Sequence, residues 1–142
     1  MRNQLGNNHF QVQWGGSNIG FMEVSGLGIE LDVVAYREGD SPDSTASLMP
    51  GQRRYPPVVL KRAIVKGDNE FFAWISGAQF GQVERRDVVI SLLDANHTPT
   101  MSWRLLHAFP SKLDYAPLNA RGSDVAIESL TLAYQGLVVE NS

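Results

Sequence analysis

The sequence predicts a mainly β domain with one short α-helix, at about residues 68–78, and one long loop, at residues 37–57. Short runs such as Phe10–Trp14 alternate apolar and polar side chains with the period of two that is typical of strands. Apolar residues recur at helical spacing in a single convincing stretch. The residues between Tyr36 and Val58 are rich in Ser, Asp, Gly and Pro, which favours a loop.

Turn-forming clusters separate the predicted strands. The strands are predicted at residues 10–14, 21–24, 29–36, 58–65, 86–93, 100–108 and 125–134, with 136–139 extending the last. The runs at 86–93 and 100–108 flank the turn Asp94–His97, so we expect them to form an antiparallel hairpin. Pro110 is expected to end the second of these strands, because proline has no amide hydrogen to donate to a sheet.

The predicted helix begins after Gly67, where Asp68 or Asn69 can accept hydrogen bonds from the free amides of the first turn. One side of it carries an apolar stripe. The stripe consists of Phe71, Trp74, Ile75 and Ala78. A helix of about 10 residues is marginal in isolation, so this stripe is expected to pack on the sheet.

Composition limits the classes of protein that the chain can represent. Its 142 residues are enough for one domain with a buried core, and 43% apolar residues with 19% charged residues exclude general disorder. The net charge of −3 gives no overall attraction to nucleic acid or anionic membranes, and the absence of cysteine excludes disulfides. The first residues lack a secretory signal and no run approaches the ~18 apolar residues of a membrane span, so we expect synthesis in the cytosol.

Several predicted strands are apolar on both faces. In the strand at 58–65, Val58 and Leu60 lie on one side while Val59 and Ala63 lie on the other. One short helix cannot cover both faces of every strand, and antiparallel sheets of monomers usually alternate more clearly. Part of this apolar surface is therefore predicted to contact neighbouring subunits.

The charges of the long loop are divided along its length. Glu38, Asp40 and Asp43 come first, and Arg53 and Arg54 come last. A loop of about 20 residues is uncommon in a compact domain and is usually functional or disordered. Because no catalytic residues are visible nearby, we interpret this loop as a surface that binds another protein.

A basic segment, Arg53–Lys66, contains no acidic residue and includes Tyr55. Nucleic acid binding would use such cations together with stacking aromatic rings, and it is one interpretation of the segment. The favoured interpretation is attraction to an acidic surface of a neighbouring subunit, of the kind that Asp40 and Asp43 would supply.

The sequence shows no recognisable catalytic, cofactor or metal site. His9, His97 and His107 lack the spacing of metal ligands. The segment Gly26–Gly28 lacks the third glycine and the following helix of a dinucleotide-binding motif, so we interpret it as a turn. We therefore expect no catalytic residues, no cofactor, no metal and no enzymatic activity.

An ordered series of short motifs resembles the tail tube family of contractile phages, and most closely the inner tube proteins of phage-tail-like contractile injection systems. The motifs cover about residues 20–138 in order. They are Phe21–Gly28, Tyr36–Gly39, Leu48–Pro56, Leu60–Arg62, Phe72–Ile75, Arg85–Val88, Leu92–Asp94, Trp103, Ala108–Pro110, Leu118–Ala120 and Val125–Leu130.

The resemblance implies a single tail-tube domain over residues 1–142, folded as a small antiparallel β-barrel or sandwich. Hexameric rings of such domains would stack into a hollow tube that sheath contraction drives through a target membrane, with payload conducted inside. In the family the long loop reaches neighbouring subunits and rings. The resulting candidates for inter-subunit contact are Glu38, Asp40, Asp43, Pro50, Gly51, Arg53, Arg54 and Tyr55.

The implied partners are further copies of the chain, a sheath protein outside, baseplate or spike and terminator or cap proteins at the ends, and possible cargo in the lumen. No nucleic acid motif and no membrane anchor is expected. The protein would be made in a bacterial cytoplasm and assembled into a virion, a bacteriocin-like particle or an injection system. Two alternatives stay open, namely a tube-initiating or baseplate adaptor paralogue and, more remotely, a small ligand-binding or hydrolytic β-barrel.

Overall fold

The computed structural model describes residues 4–6, 9–37, 39, 47–122 and 124–141. In that part of the chain it has nine strands and one helix, in agreement with the predicted mainly β fold. The strands are β1 (Phe10–Gln13), β2 (Phe21–Ser25), β3 (Glu30–Tyr36), β4 (Ser47–Arg54), β5 (Val58–Ala63), β6 (Arg86–Leu93), β7 (Pro99–Tyr115), β8 (Ile127–Ala133) and β9 (Gly136–Asn141). The helix α1 spans Glu70–Ser76.

A seven-stranded antiparallel sheet forms the body of the domain, in the order β1-β6-β7-β8-β5-β2, with β9 also paired to β7. The strands β1 and β2 are the two ends of this order, yet both pack on the same apolar core and together line one groove. The sheet therefore curves around its core as an open barrel, in which β1 and β2 each have one edge without a partner among the described residues.

The strand β7 joins the two halves of the sheet and corrects one prediction. It runs for 17 residues and continues through Pro110, which was expected to interrupt it. Its first half pairs with β6 and β9, and its second half pairs with β8. The register shifts between Pro110 and Lys112, so the proline lies at an irregularity of the ladder, where a missing donor is tolerated.

The C-terminal segment also differs from the prediction. Instead of extending β8, β9 turns back after Tyr134 and pairs with Met101–Leu106 of β7. The Gln135 amide donates to the Leu106 carbonyl at 2.9 Å, which begins this pairing. The sequence pattern predicts a strand here but does not say which neighbour it joins.

The helix is shorter than predicted but lies in the predicted place. Asn69 occupies the N-cap position without a side-chain cap bond, and the Asp68 carboxylate instead accepts a hydrogen bond from the Glu70 amide at 3.2 Å. Phe71 and Trp74 are buried, as their stripe predicts. They pack beside Trp14, and these aromatic rings close one end of the core.

The side chain of Arg62 corrects the predicted basic surface, because it is only 1% exposed. Its Nε lies 2.7 Å from Glu128 Oε1, and Nη2 lies 3.1 Å from Asp68 Oδ1. The guanidinium carbon lies 3.9 Å from the centroid of the Phe71 ring, in cation–π geometry. One cation of the segment Arg53–Lys66 thus belongs to the core and cannot serve a partner.

Gly26 explains the glycine turn between β2 and β3. Its φ is +90°, which L side chains rarely adopt, and an added Cβ would collide with the Pro57 carbonyl oxygen. The backbone of this turn therefore approaches the start of β5 too closely for any side chain. The residues Gly26–Gly28 lie in the link between β2 and β3, and a strand follows them where a dinucleotide-binding motif would have a helix.

We expect Gly26→Ala to lower the free energy of unfolding by about 2 kcal/mol or more, because it adds both backbone strain and a collision. Gly28→Ala is the matched control, since an added Cβ at Gly28 meets no atom within 4 Å. Urea denaturation followed by circular dichroism measures both changes. Equal losses in the two variants would contradict the structural role of Gly26.

No helix in the described ranges combines the length and apolar character needed to cross a membrane.

Candidate assembly surface

The strands β3 and β4 form a two-stranded sheet of their own, separate from the main sheet. This corrects the predicted loop at 37–57, since residues 47–54 are a strand that pairs with β3 in antiparallel register. Every residue of β4 is exposed, and in β3 Asp32 alone is half-buried. We call this two-stranded sheet the β3–β4 arm.

The β3–β4 arm exposes large apolar side chains on both faces. Its exposed apolar residues are Leu31, Val33, Val34, Tyr36, Leu48 and Met49, with Ile29 just before the arm. Leu48 is 72% exposed and Val33 is 67% exposed. A lone two-stranded sheet is marginally stable in water, and contiguous exposed apolar surface usually marks an interaction site. The arm therefore has the properties of a surface that another molecule covers.

Two local features accompany the pairing of β3 with β4. Arg54 Nε lies 2.8 Å from Asp32 Oδ1, so this arginine pairs within its own strand pair. Gly51 lies where an added Cβ would meet Val34 Cγ2 at 3.0 Å, which explains a glycine in the middle of a strand. The Arg54 side chain is two-thirds exposed, and an ion pair of this kind adds at most about 1 kcal/mol.

Apart from Tyr55, the predicted contact residues fall into two groups. Glu38, Asp40 and Asp43 lie outside the described residues. Pro50, Gly51, Arg53 and Arg54 lie together on β4 of the arm. The structure of a single subunit does not test whether the residues of either group contact a neighbouring subunit, so that role stays a prediction.

Tyr55 lies at the base of the arm and packs inward. Its ring centroid is 5.5 Å from that of Tyr134, whose hydroxyl donates a hydrogen bond of 2.7 Å to the Pro56 carbonyl. Burial raises the pKa of Tyr134 above its ordinary value, and Tyr55 adds a smaller effect in the same direction. Tyr55 therefore anchors the arm to the core of its own subunit, whatever further contacts it makes.

A second apolar surface lies where the open ends of the sheet face each other. A groove with a volume of about 390 Å³ runs between β2 and the sheet of β1, β6 and β7. Its apolar lining includes Phe10, Met22, Leu27 and Trp103. Sequence reasoning missed this groove, because its lining residues come from distant strands and only the barrel brings them together.

The helix side of the domain presents a third exposed surface. Phe72 on α1 is half-exposed, and Phe80 just after the helix is fully exposed. Nearby, Arg86 donates two hydrogen bonds, of 3.1 and 3.2 Å, to the Glu84 carboxylate and lowers the pKa of Glu84. Phe72 is a large apolar residue of the helix that lies outside the apolar stripe, and this position is the sequence signal that could have revealed the surface.

The outer face of β2, β5, β8 and the second half of β7 carries two exposed ion pairs. Lys61 Nζ lies 3.2 Å from Glu23 Oε2, and Lys112 Nζ lies 3.8 Å from Asp114 Oδ2. No group of three or more His, Asp or Glu side chains suited to a metal ion occurs among the residues that the structure describes.

Open sheet edges and an unsupported apolar arm are typical of subunits that complete their structure by assembly. The family of the T4-like virus tail tube protein gp19 matches residues 6–138. This match spans most of the sequence, so the chain belongs to that family of structural tail tube proteins. Comparison with curated protein sequences gives no match.

Solved structures of tube assemblies share the fold along nearly the whole chain. A chain in the cryo-EM structure of the PVC sheath–tube complex, an extracellular contractile injection system, is 31% identical with a TM-score of 0.88, over 98% of this chain and 93% of that one. A chain in the cryo-EM structure of the anti-feeding prophage tube-terminating cap is 29% identical with a TM-score of 0.89, over 100% and 94%. Hcp1 from Flavobacterium johnsoniae is 12% identical with a TM-score of 0.61, over 94% and 96%, which shows a shared fold alone.

Proposed function

We propose that this chain is the repeating inner tube subunit of a contractile injection particle. The observation that supports the proposal is the β3–β4 arm, which exposes apolar side chains on both faces and, among the residues that the structure describes, forms no strand pairing with the main sheet. We expect a second copy of the chain to cover the arm, because a tail tube contains many copies of the same subunit. Burial of the arm would stabilise the assembly by roughly 25 cal/mol for each Å² of apolar surface removed from water.

The assembly would be a stack of hexameric rings. A head-to-tail contact between rings is heterologous, so it propagates until another protein caps the end. The open edges of β1 and β2 suit contacts around one ring, and the exposed apolar arm suits a contact with an adjacent copy. The full chain would act as one tail-tube domain in this stack.

The tube would act mechanically and as a conduit. A sheath would surround it, a baseplate or spike would lie at one end and a terminator at the other. Contraction of the sheath would drive the rigid tube through a target membrane and deliver cargo from the lumen. Nothing in this role requires the chain to carry out a chemical reaction.

A second candidate is a terminator or adaptor subunit of the same fold. The match to the anti-feeding prophage cap structure favours it, because the TM-score of 0.89 there equals that for the sheath–tube complex within 0.01. The number of copies in an isolated particle separates the two roles. Many rings indicate the main tube, and a single ring indicates a terminal subunit.

We expect the purified chain to form rings or tubes with a central channel as its concentration rises. Electron microscopy and sedimentation velocity measure this directly. Isolated particles should contain the chain in many copies for each copy of a baseplate component. A monodisperse monomer at high concentration, together with absence from particles, would disprove the proposed function.

A further inference from the structure

Two adjacent cross-strand rows of mainly polar side chains cross the outer face of β2, β5, β8 and the second half of β7. The first row contains Glu23, Lys61, Ser129 and Asp114, and the second contains Ser25, Val59, Thr131 and Lys112. Alternation along each strand directs the intervening residues, such as Leu60 and Leu130, into the core. The two rows contain no large exposed apolar side chain, and their charged and hydroxyl groups suit permanent contact with water.

The remaining surfaces differ from this face in apolar exposure. Large exposed apolar side chains occur on the β3–β4 arm, on β9 at Val138 and Val139, beside the helix at Phe80, and after β7 at Leu118. In an assembled tube, contacts with other subunits or with a sheath would cover such surfaces. The two polar rows are then the face best suited to remain wet, as the wall of a channel must. This step rests on the proposed function.

The charges of the two rows cancel within each subunit. Lys61 is paired with Glu23 and Lys112 with Asp114, at 3.2 and 3.8 Å. The four side chains are between 44% and 67% exposed, so these pairs add little to the stability of the fold. Their larger effect is on the channel, because a wall with charges of one sign would attract cargo of the opposite sign and repel the rest.

We infer that the two polar rows line the channel and that this electrically balanced wall admits polypeptide cargo of either net charge. Ser129 and Thr131 add hydroxyl groups that can exchange hydrogen bonds with water or with a passing chain. A channel wall whose charges cancel in every subunit does not retain cargo by electrostatic attraction. Selection among polypeptides then depends on their size and folding state.

The absence of cysteine from the sequence allows a direct test of the wall. Thr131→Cys in assembled tubes should react with a small maleimide and resist a maleimide on a long polyethylene glycol chain. Both reagents should react after the tubes are dissociated. Reaction with both reagents in intact tubes would place Thr131 outside, and reaction with neither would place it in a subunit contact. Each of these two results would overturn the inference.

The charge balance is tested by uptake of two fluorescent peptides of equal length, one rich in lysine and one rich in glutamate. Electron microscopy first counts tubes, so a failure of tube formation is recorded separately as a failure of the proposed function. Wild-type tubes should take up both peptides equally, within about twofold at low salt. Lys61→Gln with Lys112→Gln should favour the lysine-rich peptide by at least about threefold, and salt should abolish the preference.

The matched control removes two positive charges from other surfaces. Lys66 follows β5 and Arg104 lies on the opposite half of the sheet, and both are exposed. Lys66→Gln with Arg104→Gln changes the net charge equally and should leave the uptake of both peptides unchanged. Strong discrimination by wild-type tubes, or equal effects of the two double variants, would overturn the inference.

Discussion

Arg62→Met should lower the free energy of unfolding by about 3–5 kcal/mol, because it leaves the buried Glu128 carboxylate without its main partner. Glu128 is 4% exposed, so water cannot replace the lost guanidinium. The substitution also removes the cation from above the Phe71 ring. The change is best measured by urea denaturation with circular dichroism, in a background that does not assemble.

The double variant Arg62→Met with Glu128→Leu separates charge burial from packing. It removes both charges and keeps apolar volume in the core, so it should recover at least half of the stability that the single variant loses. A loss below about 1 kcal/mol in the single variant would show that Glu128 finds another partner or reaches water. No recovery in the double variant would indicate that packing around Arg62 dominates.

The second large effect is expected at the tip side of the β3–β4 arm. Leu48→Asp with Met49→Asp should abolish tube formation and leave the fold of the subunit intact. Adjacent strand residues point to opposite faces, so the pair places a charge on each face of the arm. Both side chains are exposed in the single subunit, and such substitutions usually change stability by less than about 0.5 kcal/mol.

The control for this variant is Leu48→Met with Met49→Leu, which keeps both residues apolar and similar in volume. It should form tubes at concentrations close to those of the wild type. Sedimentation velocity and electron microscopy measure assembly, and near-ultraviolet circular dichroism checks the fold. Normal tubes from the aspartate variant would show that the arm does not form the contact.

The sequence predicted most strands because their periodicity is local. The error at 47–54 has a local cause too, since this segment contains Pro50 and Gly51 and lacks the β-branched residues that favour strands. Its strand form depends on one antiparallel partner, β3, and on a close contact at Gly51. A pairing between two segments leaves no periodic signal in the sequence of either one.

Arg62 illustrates the same limit for the candidate surface. In the sequence Arg62 belongs to the basic segment Arg53–Lys66, and that position predicts an exposed side chain. In the structure Glu128, which lies 66 residues away, and the aromatic ring of Phe71 surround it. Only the pairing of β5 with β8 places Arg62 opposite Glu128, and that pairing depends on the whole sheet.

The sequence by itself determined that this protein is a β-rich domain of the tail tube family. It did so because alternation, turn residues and ordered motifs are properties of neighbouring residues. The tertiary structure alone decided which face of each strand is core, where the arm separates from the barrel and which charges cancel. A period of two assigns side chains to opposite faces, but long-range pairing selects the face that is covered.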